Sequence, residues 1–316
     1  PGGATVALTR IVIDTDPGVD DAVAILLALA SPELEVLGIT CVAGNVDLEK
    51  TTLNAQRLVA LAGRSDVPVF RGCAEPLAGP TGTAAEVHGF DGLGDLEWPT
   101  PRVEVNELGA VEFLYRELTR GRVTIVAIGP LTNLATLLVE YPDAADLVER
   151  VVIMGGASFH GNVTAAAEFN IWADPEAAAI VFNASWRIDV MPLDLTHQAF
   201  LTDANLEELR SWGTEVGQRV ADMLEPYAAF HLEWYQNRDL IMHDAMAVYE
   251  VIDPTAIVKS GVEVEIETDG LFSRGATHFS RSHRHATSTT RVGTFVDNDR
   301  FVDLLKSRLA TLRSPN

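Results

Sequence analysis

Four aspartates, Asp14, Asp16, Asp20 and Asp21, fall within IVIDTDPGVDDAVAILLALA (residues 11–30), between an apolar strand-like run and an apolar helix-like run. Asp20 and Asp21 fit an N-cap and a first-turn acid, both favoured at the positive end of a helix. Asp14 and Asp16 need another explanation, because they precede the helix and border Pro17-Gly18, a turn that folds all four carboxylates toward one another. Like charges that close must be protonated or bridged by a cation. Carboxylate oxygens on a rigid turn suit a hard ion such as Ca²⁺ or Mg²⁺ rather than Zn²⁺, and no His/Cys spacing competes with them.

Other reactive residue types stand far downstream. AEFNIWADPEAA (167–178) offers Glu168 and Asn170 just before Asp174-Pro175. Capping accounts for the second pair, an N-cap and a first helical residue, but leaves the first pair unexplained. IMHDAMAVY (241–249) breaks an apolar run with His243-Asp244, which serves either as a capping group or in catalysis. PYAAFHLEWYQ (226–236) spaces Tyr227, His231 and Tyr235 at i, i+4 and i+8. That shared helical face either lines a pocket or packs into a core. His88 sits in the Gly-rich VHGFDGLG (87–94), whereas His283 and His285 in SRSHRHATSTT read as a solvated loop.

The elements that must position these groups follow from periodicity. Short β-branched runs predict strands at Arg10–Asp14, Val36–Val42, Val67–Phe70, Val123–Ile128, Val151–Met154 and Arg187–Pro192. Amphipathic stretches predict helices near residues 20–30, 47–62, 106–120, 131–140, 174–183 and 203–223. This alternation implies an α/β fold with a mostly parallel central sheet and helices on both faces, in which ligands bind at the carboxyl ends of the strands. Asp14-Thr15-Asp16, Ala43-Gly44-Asn45, Ile128-Gly129-Pro130, Met154-Gly155-Gly156 and Leu193-Asp194 all fall just past those ends. GVEVEIET (261–268) alternates cleanly, as an edge or antiparallel strand does. No linker or repeat interrupts the pattern, so one domain over residues 1–316 is expected.

Composition narrows the partners. The chain of 316 residues is 47% hydrophobic and carries a formal charge of −22, with no basic cluster that would grip nucleic acid or an anionic membrane. A neutral small molecule or a cation suits that field. The longest apolar run, AVAILLALA (22–30), is far shorter than the roughly 20 residues of a membrane span. PGGATVALTR at the start lacks the features of an export signal, and two cysteines make neither a disulfide framework nor a metal spacing. These features predict a cytoplasmic protein with reduced thiols.

Taken in order, D-x-D-P-G-x-D-D-A (Asp14 to Ala22), Asn45, GPLTN (129–133), VIMGG (152–156), GNVTAAAEFN (161–170), DPEAA (174–178), His243-Asp244 and VDNDRFVDLL (296–305) resemble the nucleoside hydrolase family, the inosine-uridine-preferring ribohydrolases. The resemblance implies a single α/β domain and one Ca²⁺ held by Asp16, Asp21, Asp244 and the backbone carbonyl of Ile128. It implies hydrolysis of ribonucleosides to free base and ribose, with Asp16 as the base that activates a water on the ion. Asp20 would hold the ribose 2′-hydroxyl, with Asn45, Asn162, Glu168, Asn170 and the Met154 backbone on the other hydroxyls. His243 would donate a proton to a departing purine, His88 would close over the nucleoside, and His231 and Tyr235 would line the base pocket. Family members are dimers or tetramers, so a homo-oligomer is expected. Two other functions share parts of the pattern: a nucleoside or sugar sensor that keeps the ion without chemistry, and a metal-dependent phosphotransferase of the D-x-D-x-T type. The latter fits poorly, with Gly18 where Thr or Val belongs, no phosphate-cradling loop and few basic residues near the site.

Overall fold

The computed structural model describes residues 8–280 and 289–314, so His283 and His285 lie outside the described residues. Its strands are β1 (Thr9–Thr15), β2 (Leu34–Cys41), β3 (Val69–Arg71), β4 (Val105–Asn106), β5 (Thr124–Ala127), β6 (Arg150–Met154), β7 (Ile188–Met191), β8 (Phe200–Leu201), β9 (Leu240–Ile241), β10 (Ile257–Gly261), β11 (Glu263–Ile266), β12 (Thr277–Ser280) and β13 (Thr290–Val296). Nine of them form one sheet in the order β10-β13-β7-β6-β5-β1-β2-β3-β4. Every neighbouring pair is parallel except β10 with β13. All six strands expected from the β-branched runs are present.

Successive β1 side chains point to opposite faces, so Ile11 and Ile13 enter one core and Val12 the other. The first core is closed by helices Val19–Leu29, Leu48–Leu61, Glu215–Tyr235, Ala245–Ile252 and Asn298–Leu309; the second by Ala110–Arg120, Thr132–Glu140 and Pro175–Phe182. Helix Val19–Leu29 is buried along its whole length, as its nearly continuous apolar sequence requires, and it packs on Ala245–Ile252, which is buried from Ala245 to Val251. Among the described residues, no helix is long and apolar enough to cross a membrane.

Connectivity fixes where a ligand can sit. From β1 the chain steps through β2 and β3 to β4 at one edge, and from β5 it steps through β6 and β7 toward the other. The order therefore reverses between β1 and β5, and the crevice beyond their carboxyl ends is the switch point at which such sheets bind ligands. Asp14 and Thr15 end β1, and Ile128 follows β5 directly.

Three expectations are adjusted. The helix expected over 203–223 is two helices, Asp203–Ser211 and Glu215–Tyr235, because Gly213 turns left-handed at φ +64° and Thr214 caps the second through the Gly217 N–H. The helix expected from 106 begins at Ala110, since Val105 and Asn106 pair with β3. GVEVEIET divides at buried Val262: Gly261 ends the antiparallel edge strand β10, and Glu263–Ile266 pairs with β12 in a separate ladder.

Strand β2 shows how tightly the sheet is packed. The Phe70 and Phe113 rings stack at 3.7 Å, and a Cβ on Gly38 would come within 2.7 Å of Phe113 and 2.8 Å of Phe70. Gly38→Ala should therefore cost about 1–3 kcal/mol of stability. Urea denaturation measures this, and an unchanged midpoint would contradict the packing argument.

Candidate active site

Asp16 stands just past β1, gripped by main chain on both sides. Its Oδ2 accepts the Asn45 N–H at 2.6 Å, while Oδ1 is buried without a hydrogen-bond partner. A Cβ on Gly44 would overlap Oδ2, and one on Gly129 would lie 2.6 Å from Oδ1. Glycine at both positions lets the backbone close around the carboxylate. Asp21 folds back over the turn, accepting the Thr15 hydroxyl at 2.5 Å and the Gly18 N–H at 2.9 Å. The Asn45 amide donates to the Asp16 carbonyl at 3.1 Å and to Asp21 at 3.0 Å, so both of its protons fix acids rather than face the cleft.

The two buried helices bring in the remaining acids. Asp20 and Asp21 occupy the first turn of Val19–Leu29, and Asp244 is the N-cap residue of Ala245–Ile252. One carboxylate oxygen from each of these three lies within 4.8 Å of the others, a group able to hold a metal ion. Asp16 lies against that group: burial first, and then the charges of Asp21 and Asp20, raise its pKa. Among the described residues, no Lys or Arg forms an ion pair with any of the four. Burial pushes the Asp20 carboxyl up to about 8 and that of Asp14, which accepts from Thr40 and Asn133, to about 7. Asp16, Asp21 and Asp244 are raised by burial too, Asp16 and Asp244 well above the usual carboxylate range. Negative charge without protein counter-charge, an orphaned buried oxygen and an all-oxygen donor set suit a hard divalent cation.

Above this floor opens a cleft of about 320 Å³. It is lined by Asp20, Asn45, His88, Met154, Asn162, Glu168, Asn170, His231, Tyr235, His243 and Asp244, every one singled out from the sequence; Asp16, Asp21 and Ile128 lie behind the lining. The Glu168 carboxylate caps helix Phe169–Ala173, accepting from the Asn170, Ile171 and Gly156 N–H groups, and burial raises it to about 7. Asn170 Nδ2 bridges the Ile128 and Met154 carbonyls at 3.1 Å each, tying the ends of β5 and β6. Asn162 spends its carbonyl on the Phe169 N–H at 2.9 Å. His88 Nδ1 accepts the Val19 N–H at 3.1 Å, and burial holds its pKa near 3, so the ring is neutral with its proton on Nε2. His243 places Nδ1 2.7 Å from the Thr196 hydroxyl.

Phe169, Trp172, Tyr227, Phe230 and Trp234 also line the cleft. Phe230 and Trp234 share the helical stripe of His231 and Tyr235, a signal present in the spacing. Trp172, on the short helix Phe169–Ala173, and Thr83, Ala84, Glu86 and Val87, at and before the one-turn helix Ala85–His88, reach the cleft from elements too short to leave a local pattern, and Thr196 acts through a long-range contact.

The raised acids set a pH signature. Their folded pKa values exceed the unfolded 3.8, so their stabilising contribution is complete below about pH 4 and is lost as pH rises through about 7 to 8. A divalent cation among Asp16, Asp20, Asp21 and Asp244 replaces the protons on those four, Asp14 excepted. The rise in Tm on adding the cation to chelator-treated protein should accordingly be larger near pH 8 than near pH 5. Thermal melts at the two pH values test this, and equal shifts would argue against a cation at these acids.

Comparison with known proteins gives the family of the chain. The family model described as inosine-uridine preferring nucleoside hydrolase matches residues 11–303. An inosine-uridine preferring nucleoside hydrolase of Leishmania major is 38% identical, covering 97% of this chain and 99% of its own. A pyrimidine-specific ribonucleoside hydrolase of Photobacterium profundum is 39% identical over 95% of this chain and 98% of its own. Among solved structures, a purine-preferring ribonucleoside hydrolase from Gardnerella vaginalis superimposes with a TM-score of 0.92 at 32% identity, covering 97% and 99% of the two chains. A plant nucleoside hydrolase gives 0.90 at 36%, covering 96% and 100%. With the motifs in order, the sheet's switch point at the acids and these matches over nearly its whole length, the chain belongs to the inosine-uridine preferring nucleoside hydrolase family.

Proposed function

We propose that the protein hydrolyses the N-glycosidic bond of purine and pyrimidine ribonucleosides to free base and ribose, with one calcium ion held by Asp16, Asp21, Asp244 and the Ile128 carbonyl. The observation that carries this reading is the buried, uncompensated carboxylate floor beneath an aromatic-walled cleft. When bound, the ion would anchor the sugar diol and polarise the attacking water.

The chain's own residues account for the rest. Asp16 has one oxygen fixed by Asn45 and the other without a protein partner, which suits it to accept a proton from water as general base. Asp20 faces the cleft, where it meets a ribose hydroxyl. Glycosidic cleavage passes through an oxocarbenium-like transition state, and a preorganised anionic floor favours the positive charge that develops on the ring. Glu168 and Asn170, locked to backbone groups, set the shape of the sugar site, with Asn162 and the Met154 backbone beside them. Thr196 occupies Nδ1 of His243 and leaves Nε2 as the atom that reaches a departing base. His88 adds a donor to the cleft through Nε2.

Reducing sugar should appear from inosine, uridine and cytidine, and chelation should abolish it. Absence of release from all three would end the proposal. Asp16→Asn should lower kcat by roughly 10²–10⁴-fold with little change in KM. His243→Ala should lose purine turnover while keeping most pyrimidine turnover; equal loss on both would remove its assignment as the purine's acid.

A further inference from the structure

The polar atoms on the helix Glu215–Tyr235 reveal which hydrogen-bonding character the cleft offers a base. His231 Nδ1 lies 2.6 Å from the Asp239 carbonyl. A carbonyl oxygen only accepts, so Nδ1 carries the proton. The ring is 2% exposed and bordered by Tyr227 at 4.3 Å, Tyr235 at 5.3 Å and Phe230 at 6.1 Å. That setting disfavours a cation, and burial lowers the pKa of His231 below its ordinary value. Nε2 is then a bare lone pair. His231 lines the cleft, and among the described residues none donates to Nε2.

One turn earlier Tyr227 repeats the arrangement. Its hydroxyl donates to the Ile241 carbonyl at 3.3 Å, leaving only lone pairs for the cleft. Both side chains spend their protons on the segment 239–241, which leads from this helix to His243 and Asp244.

We propose that His231 is a specificity-determining residue: through Nε2 it accepts a hydrogen bond from the base, so the enzyme selects nucleobases that carry an N–H donor. This rests on the nucleoside-hydrolase reading, in which the sugar lies at the carboxylates and the base along the aromatic wall. Uracil supplies such a donor at N3–H, and an N3-methyl group instead presents carbon to the lone pair. A site built around a hydrogen bond rejects an analogue that lacks it far more strongly than an apolar pocket does.

The test compares kcat/KM for uridine and 3-methyluridine in the wild type, His231→Phe and His231→Gln. The wild type should prefer uridine by at least about tenfold. The ratio should fall toward one in His231→Phe, which keeps a ring but has no acceptor, and should recover in part in His231→Gln, whose amide oxygen accepts. An unchanged ratio in His231→Phe overturns the proposal. ¹⁵N NMR of histidine-labelled wild type gives a readout independent of turnover and of the variants' folding. Nε2 should resonate as an unprotonated nitrogen and move on adding uridine but not 3-methyluridine. A protonated Nε2, or equal response to both, overturns the proposal. Failure to release sugar from any nucleoside would instead sink the hydrolase reading, while the NMR result still decides the character of His231.

Discussion

Packing between two buried apolar helices is the constraint on which this protein depends. Val19–Leu29 and Ala245–Ile252 have almost no polar surface to show water, so they pair beneath the sheet's carboxyl edge. Each carries acids unpaired with Lys or Arg at its N-terminal end, and burying the apolar faces forces Asp20, Asp21 and Asp244 together in a dry place. The cost of that crowding is met by hydrophobic burial elsewhere in the molecule, with some relief from the positive ends of the helices. The site is thus a region of stored repulsion that a cation or protons must relieve.

Around that region, polar groups are spent on rigidity. Asn45, Glu168, Asn162 and Asn170 all border the cleft, yet their hydrogen bonds run to backbone groups, to the acids or, for Asn170, also to the Met154 sulfur. A sugar meeting these groups meets a surface already fixed in orientation, which is the form of preorganisation that favours a charged transition state.

Much of this was legible in the sequence, for physical reasons. The six strands expected from β-branched runs are long or apolar enough to show their period, and Asp16, Asn45, Ile128 and Met154 at their ends meet at or just behind the crevice, whereas Asp194 turns instead to the Ser158 N–H. Asp174-Pro175 announced a helix start, and Asp174 indeed caps Pro175–Phe182 while also accepting from Thr132 and Leu77. Two-residue strands such as β4, β8 and β9 carry no readable period. Gly213 interrupts a pattern that looks continuous, since an apolar stripe does not reveal a left-handed residue within it. Long-range pairings such as Thr196 with His243, or Asp239 with His231, cannot be read from spacing at all. Sequence named His231; only geometry says which of its nitrogens bears the proton.

The two glycines that enclose Asp16 divide the molecule into a part that can drift and a part that cannot. Because main chain from Gly44 and Gly129 fills the space on both flanks of that carboxylate, any added methyl there acts on Asp16 itself, as surely as a change to the aspartate. The last turns of the aromatic helix across the cleft have no such restriction, since Phe230, Trp234 and Tyr235 meet one another and neighbouring histidines, and Trp234 and Tyr235 are exposed. Preference for one base over another can therefore be rewritten on that helix, turn by turn, above a foundation that admits no revision.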